Sequence, residues 1–314
     1  MINISKALEL FLFDRELKGN TKKTIENYMQ QVTYFINYLS SDIDVTEITL
    51  ETLRSYQYYL LKKDRYDNHP FNINDNIPIS KITVQSYLRQ LRVFIKYLYD
   101  EGYIKEDLTK KFKLPKAPNK VIEILTDEEI EILLDLHKEN SELQLRNKCI
   151  IALMLDSGLR RNEVLDLRYD HIFLTQNYIK ILGKGQKERL VPLGLMTKKL
   201  LVKYINFRSM PEYETNKLFI DKNLKPITDN AIKMMFLRLK KRTGIERLHP
   251  HILRHTFATK YIINGGDIFS LQQILGHTSL DMVRKYSHLA SSYVISNHKR
   301  LSPLDEMQRK KYNK

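Results

Sequence analysis

The chain contains a single cysteine, Cys149, among its 314 residues. It sits in the apolar run CIIALML, which excludes an intramolecular disulfide and fits a core position in a reducing cytoplasm. No apolar stretch approaches the roughly 18 residues that span a bilayer. The opening segment MINISKALELFLFDRELK interrupts its apolar residues with Glu9 and Asp14, so neither a signal peptide nor a membrane anchor is expected. The sequence also offers no acidic cluster of metal-holding kind, and its GKG turn lacks the glycine spacing and Lys-Ser/Thr pair of a phosphate-binding P-loop. Cofactors and metals are therefore not expected. Positive charge, by contrast, is abundant: 52 Lys and Arg against 37 Asp and Glu give +15, with a pI near 9.5. Counterion release makes such a surface bind nucleic acid, with a membrane surface as the competing polyanion. With 42% hydrophobic and 10% aromatic residues, the chain is globular and long enough for two cores.

The first domain, residues 1–113, reads as four amphipathic helices: Ile4 to Leu17, Thr24 to Leu39, Leu50 to Leu61, and a segment from Val84 to Leu98. Thr21 is the expected N-cap of the second; Ser80 precedes the fourth, which Gly102 stops. Lys62 to Ser80, rich in Asn, Asp and Pro, reads as a long loop. Lys22, Lys23, Arg89, Arg92 and Lys96 lie on polar faces. Each alone is an ordinary solvated cation, but together they are candidates for gripping duplex DNA. KKFKLPKAPNK, Lys110 to Lys120, reads as linker, placed in the domain plan at 114–121.

The second domain, residues 122–314, opens on Thr126-Asp127-Glu128-Glu129 as a capping box. A helix from Asn147 to Asp156, apolar nearly all round, is expected at the domain's centre. Its stop at Ser157-Gly158 delivers Arg160, with Glu163 one turn on; alone, such a pair is as readily a structural ion pair. Tyr178 to Leu182 and Glu188 to Leu193 read as a β-hairpin with Lys184 at its tip. A short strand (Lys217 to Ile220) and a helix (Asp229 to Arg242) follow, the helix carrying Lys233, Arg238 and Lys241 as further DNA-contact candidates.

The densest chemistry lies between His249 and His288: HPHILRHTFATKYIINGGDIFSLQQILGHTSLDMVRKYSH. His251 and Arg254, three apart on one helix, project from one face toward a common point. The glycine of Leu275-Gly276-His277 reads as a helix stop that presents His277 beside them. Tyr286 follows nine residues later. Beside arginines and a proton acceptor, its hydroxyl can attack phosphorus. Tyr261 lacks that spacing and reads as interior.

In order, SGLRRNE, GKGQKERLVPL, HPHILRHTFAT, LGH and this tyrosine resemble the tyrosine recombinase (phage integrase) family, particularly its Xer-type and transposon-borne members. The resemblance covers essentially the whole chain. It implies a fold that is mainly α with a small antiparallel β-sheet: a helical core-binding domain followed by a mixed α+β catalytic domain. It implies that Arg160 and Arg254 hold the scissile phosphate, which guanidinium geometry suits. Lys184 would protonate the leaving 5′-oxygen, His251 would assist proton transfer at the tyrosine, His277 would bond the phosphate, and Tyr286 would form a 3′-phosphotyrosine. Glu163 would support the first arginine; His255 matches the pattern but reads as a packed histidine. The partners implied are double-stranded DNA with inverted half-sites and three further copies of the chain, exchanging C-terminal segments from about residue 289. Its setting would be the bacterial cytoplasm and nucleoid.

Two features depart from the pattern: Met282 to Lys285 lacks the threonine common before the tyrosine, and the Lys62 to Ser80 loop is long. Two other functions compete: a type IB topoisomerase with a similar residue set, and an architectural DNA-binding protein with an inactive site. The separate helical domain argues against the first, the intact residue set against the second.

Overall fold

A computed structural model describes residues 2–65, 76–116, 123–183, 188–208, 215–276, 298, 302–305 and 307. The chain forms two compact units, Met1–Lys120 and Val121–Lys314.

The first unit contains helices α1 (Ile4–Leu17), α2 (Lys22–Leu39), α3 (Leu50–Lys62) and α4 (Lys81–Asp100). Their starts follow their caps. Thr21, Thr49 and Ser80 each accept the N–H three residues on, satisfying a donor that the first helical turn leaves unpaired. That capping starts α2 and α4 slightly earlier than apolar periodicity alone predicts. At the other end of α4, Gly102 takes φ 76°, which an L side chain resists. The core gathers Phe11, Phe35, Tyr56, Leu88 and Phe94, all essentially inaccessible.

At the base of the Lys62 to Ser80 loop the described ends are bonded to each other: Arg65 N–H donates to Ile77 O and Ile79 N–H to Lys63 O, both at 2.9 Å. One expectation needs correcting: the start of the lysine-rich run from Lys110 is not free linker. Phe112 is 2% exposed, Leu114 packs on the same core, and the Gln85 amide donates to Pro115 O at 3.2 Å. Polar composition masked two apolar residues, Phe112 and Leu114, which dock while Lys111, Lys113 and Lys116 stay exposed.

The second unit comprises α5 (Asp127–Asp135), α6 (Glu142–Asp156), α7 (Arg161–Asp166), strands β1 (Ile172–Phe173), β2 (Tyr178–Leu182) and β3 (Glu188–Pro192), then α8 (Leu195–Phe207), α9 (Asp229–Thr243), α10 (Pro250–Ile263) and α11 (Ile268–Leu275). The helix α6 starts earlier than predicted because Ser141 caps it. It is buried among α8 and α10, with Cys149 through Met154 forming the centre. Burial pushes the Cys149 thiol well above its ordinary range, so it is an inert core residue. The three strands form an antiparallel sheet in chain order, with Ile181 opposite Arg189 and Leu182 opposite Glu188.

Lys217 to Ile220 is not a strand of this sheet. It makes only isolated bridges, Arg168 with Lys217 and Ile220 with Pro226. Its apolar run is explained by burial of Leu218, Phe219 and Ile220, and two of its carbonyls are met by one side chain, with Arg208 Nη1 donating to Lys217 O at 3.1 Å and to Leu218 O at 2.7 Å. Among the described residues, no helix is long and apolar enough to cross a membrane.

Candidate active site

The site begins where α6 stops. Gly158 takes φ 62°, and a Cβ there would strike the Phe257 ring and lie 2.9 Å from Leu275 Cδ2. Only glycine lets the chain turn this closely against α10 and α11. The turn delivers Arg160 at the N-cap of α7.

From the first turn of α7, Glu163 reaches back. Its Oε2 accepts the Arg160 backbone N–H at 2.8 Å and its Oε1 accepts Arg160 Nη1 at 2.8 Å. A second arginine meets the same carboxylate as a fork: Arg189 Nη1 to Oε1 at 2.9 Å and Nη2 to Oε2 at 2.8 Å. Burial by itself pushes the Glu163 carboxyl up. The hydrogen bonds and charge of Arg189, with the bonds from Arg160, outweigh burial and hold it below the usual carboxylate range. The carboxylate therefore stays ionised between its two cations.

Arg254 comes from α10. It is buried, donating from Nη1 to Gly158 O at 2.6 Å and from Nη2 to Leu275 O at 2.8 Å. Three arginines on three elements thus converge on one helix end: Arg189 Nε donates to Ile274 O at 2.8 Å, Arg254 to Leu275 O, and Arg160 Nη2 lies 3.4 Å from Gly276 O. The last carbonyls of α11 lack helical partners and form the negative end of its dipole, so guanidiniums are favoured there. Gly276 closes the helix in the left-handed conformation, φ 63° and ψ 47°.

The helix α10 is in turn anchored to the start of α5. Leu125 N–H donates to Thr256 Oγ1 at 2.9 Å and Lys260 pairs with Asp127 at 2.6 Å. The expected capping box is present: Glu129 N–H donates to Thr126 Oγ1 at 3.2 Å, and Thr126 N–H to the Glu129 carboxylate at 2.9 Å.

His251 shares α10 with Arg254 but is exposed, so the expected shared point is met from two depths: a buried guanidinium and an imidazole at the surface. Desolvation on its protein side, then His249, Arg254, Arg161 and Arg160, hold His251 below the ordinary histidine range. It is accordingly neutral at neutral pH and able to take a proton. His255 is half-buried one turn further along the helix.

Lys184, His277 and Tyr286 lie outside the described residues. Tyr261 is committed elsewhere: its hydroxyl is 2.8 Å from Ser270 Oγ, and its ring covers Gly266 so closely that a Cβ there would overlap it. Of the candidate DNA contacts, Lys22, Lys23, Arg89, Arg92, Arg238 and Lys241 are exposed. Lys96 is drawn into pairs with Asp100 at 2.9 Å and Asp107 at 3.1 Å, and Lys233 pairs with Asp229 at 2.8 Å. Among the described residues, no three His, Cys, Asp or Glu side chains gather as metal ligands.

Sequence reasoning missed Arg189. The signal was present in strand alternation: Val191 faces the core, so Arg189, two residues earlier, faces the same side while Leu190 is left 58% exposed. A cation at an inward position of a hairpin strand requires a buried anion.

The pattern of the phage integrase family matches residues 123–292, and that of the phage integrase SAM-like domain matches residues 8–114. The chain is 28% identical over 300 residues to the tyrosine recombinase XerD of Halalkalibacterium halodurans, covering 93% of this chain and 96% of that one. It is 30% identical over 280 residues to the tyrosine recombinase XerC of Alcanivorax borkumensis, covering 84% and 90%. Among solved structures, the XerH site-specific recombinase bound to palindromic difH substrate superposes with a TM-score of 0.71 at 22% identity, covering 93% of this chain and 83% of that one. The Tn1549 transposon integrase in complex with transposon right end DNA superposes with a TM-score of 0.73 at 18% identity, covering 94% and 99%.

Proposed function

Because the chain belongs to the phage integrase family, we propose that it is a site-specific DNA recombinase that cuts and rejoins strands through a 3′-phosphotyrosine. One observation carries this reading: Arg160 and Arg254, far apart in sequence, meet neighbouring carbonyls at the end of α11, beside a histidine held neutral.

In the proposed reaction the Tyr286 hydroxyl attacks the scissile phosphorus as His251 assists removal of its proton. The P–O5′ bond breaks, and Lys184 supplies the proton that the departing 5′-oxygen takes up. Arg160 and Arg254, with a hydrogen bond from His277, stabilise the charge that accumulates on the nonbridging oxygens. The phosphotyrosine conserves the energy of the broken bond. Attack by a 5′-hydroxyl of another strand reverses the step and frees the tyrosine.

Duplex DNA is the partner this reading requires, and the exposed Lys22, Lys23, Arg89, Arg92, Arg238 and Lys241 are its candidate phosphate contacts. We place four protomers on two DNA sites built of inverted half-sites, with C-terminal segments from about residue 289 passing to neighbours. Truncation after His288 then weakens assembly on paired sites more than binding to one half-site; equal loss of both overturns that arrangement. The work belongs in the bacterial cytoplasm, at the nucleoid.

The deciding experiment incubates the protein with nicked duplexes spanning the DNA that flanks its gene, then denatures it to reveal covalent adducts. The nick lets the cut end diffuse away and traps the intermediate. Adducts at one or two positions, absent from Tyr286→Phe, are the expected result. Scattered adducts indicate a topoisomerase instead, and an undiminished adduct in the variant removes Tyr286 from the reaction.

A further inference from the structure

The geometry points to Arg189 as a positioning residue for strand cleavage, acting through Glu163 on Arg160. This rests on the proposed role of Arg160 at the scissile phosphate.

Arg189 and Arg160 share one carboxylate but differ in what they have left to offer. The Arg189 side chain is 12% exposed, and its Nε and both Nη nitrogens are engaged inward, on Ile274 O and on the two oxygens of Glu163. The Arg160 side chain is 36% exposed; it spends Nη1 on Glu163 and makes only a long approach, 3.4 Å, to Gly276 O with Nη2. Arg160 thus faces outward with donors to present, whereas Arg189 is nearly buried with each of its three nitrogens already committed to a protein acceptor.

What Arg189 does is fix the plane of the Glu163 carboxylate. Arg160 meets both oxygens of Glu163, but one of its two donors is its own outward-facing guanidinium, so by itself it leaves the broad, soft last torsion of the carboxylate only partly held. The two-pronged fork from Arg189 removes that freedom, so Oε1 fixes where Arg160 Nη1 hangs. The third donor, Nε, references the same carboxylate to the end of α11, the helix after which the chain runs to His277 and Tyr286. Gly276 makes this possible, because a Cβ there would lie 3.0 Å from Arg189 Cδ and 3.1 Å from Nε. A side chain at that position would push the guanidinium off the helix end.

The test uses the full chain and single-turnover adduct formation on a nicked duplex carrying its own target site. The cleavage position is made either as a normal phosphodiester or as a neutral methylphosphonate. The expected loss for Arg189→Gln on the phosphodiester is about 10–100-fold in rate, the usual scale for partners that orient a reacting group. Duplex affinity should stay within about threefold. Two further results are expected. Arg160→Ala combined with Arg189→Gln is no slower than Arg160→Ala alone, because the second residue acts through the first. On the methylphosphonate, where the charge that Arg160 meets is gone, the Arg189→Gln defect largely disappears.

A defect equal on both substrates, or losses that multiply in the double variant, overturns the proposal and leaves Arg189 a merely structural residue. If Arg189→Gln does not fold, Arg189→Lys keeps a charge against Glu163 without the fork and is put through the same comparison. Failure of the underlying reading looks different. Arg160→Ala cleaving at the wild-type rate removes Arg160 from the phosphate, and the proposal with it, whatever the Arg189 variants do.

Discussion

In the first unit the ring of Phe11 meets Tyr28, Phe94 and Tyr97 at centroid distances of 5.1 to 5.4 Å; in the second, the buried centre of interest is a carboxylate between two guanidiniums. The contrast extends through both cores. Of the ten buried polar or charged residues among those described, only Asp107 and Thr109 belong to the first unit, while His137, Ser157, Glu163, Thr197, Arg208, Arg254, Thr256 and Thr259 belong to the second. A core of packed rings needs only volume and shape. Buried charges are tolerated only when each is bonded, so the second unit is constrained in direction as well as in volume. The unit proposed to do chemistry is the one that carries this extra constraint.

Breaking each core at its centre gives the largest effects. Phe11→Ala should lower the stability of the full chain by about 3–5 kcal/mol in urea unfolding, with no dependence on pH between 5 and 8. Glu163→Ala should cost about 3–5 kcal/mol as well, because it strands Arg189 in a buried site. Unlike the first, it should also abolish adduct formation in whatever fraction remains folded. If Glu163→Ala lowers stability but leaves cleavage per folded molecule intact, the buried ion pairs are scaffold only.

An acid-sensitive term should distinguish the units next. His137 is buried, 6% exposed, and its Nε2 has no hydrogen-bond partner among the described residues. Desolvation, with Arg242 and Lys148, depresses it to about 4. The unfolded chain, with a histidine near ~6.5, binds a proton in this interval that the folded chain refuses, so stability rises with pH across it. Acidification from above ~6.5 to about 4 should therefore cost on the order of 3 kcal/mol, and His137→Leu should flatten that part of the stability profile. The same logic applies to rate at His251: adduct formation should decline with acidification only below the ordinary histidine range, since its proton affinity is depressed.

Smaller effects test the backbone devices. Gly158→Ala should cost about 2 kcal/mol in thermal unfolding, combining a left-handed φ with the clash against Phe257. Thr126→Ala, which removes a cap at the start of α5, should cost about 1 kcal/mol, and so should Thr21→Ala in the first unit. Equal cap losses in both units would show that they differ in their cores rather than in their helix ends.

Much of this was legible in the sequence wherever physics acts locally. Caps at Thr21, Ser80 and Thr126, the helical stops at Gly102, Gly158 and Gly276, and the hairpin strands follow from residues within a few positions of one another. The polar run from Lys110 misled because Phe112 and Leu114 find their partners in helices distant along the chain. The apolar Lys217 to Ile220 segment misled because burial alone does not choose between a strand and a bridged loop. Arg189 escaped notice because a cation after GKGQKE reads as solvated until its strand's facing is known.

By itself, then, the sequence determined the helices, the hairpin, the ordered motif set, and the candidacy of Arg160, His251 and Arg254, because periodicity, capping and spacing are properties of neighbours along the chain. Only the tertiary structure decided that Arg254 is buried while His251 is exposed, and that Glu163 serves two arginines. It also brought Ile274, Leu275 and Gly276 to guanidiniums from β3, α10 and the start of α7. Those pairings join residues as much as 116 positions apart, and hydrogen bonds between such distant groups are set by how the helices pack, which no local pattern encodes.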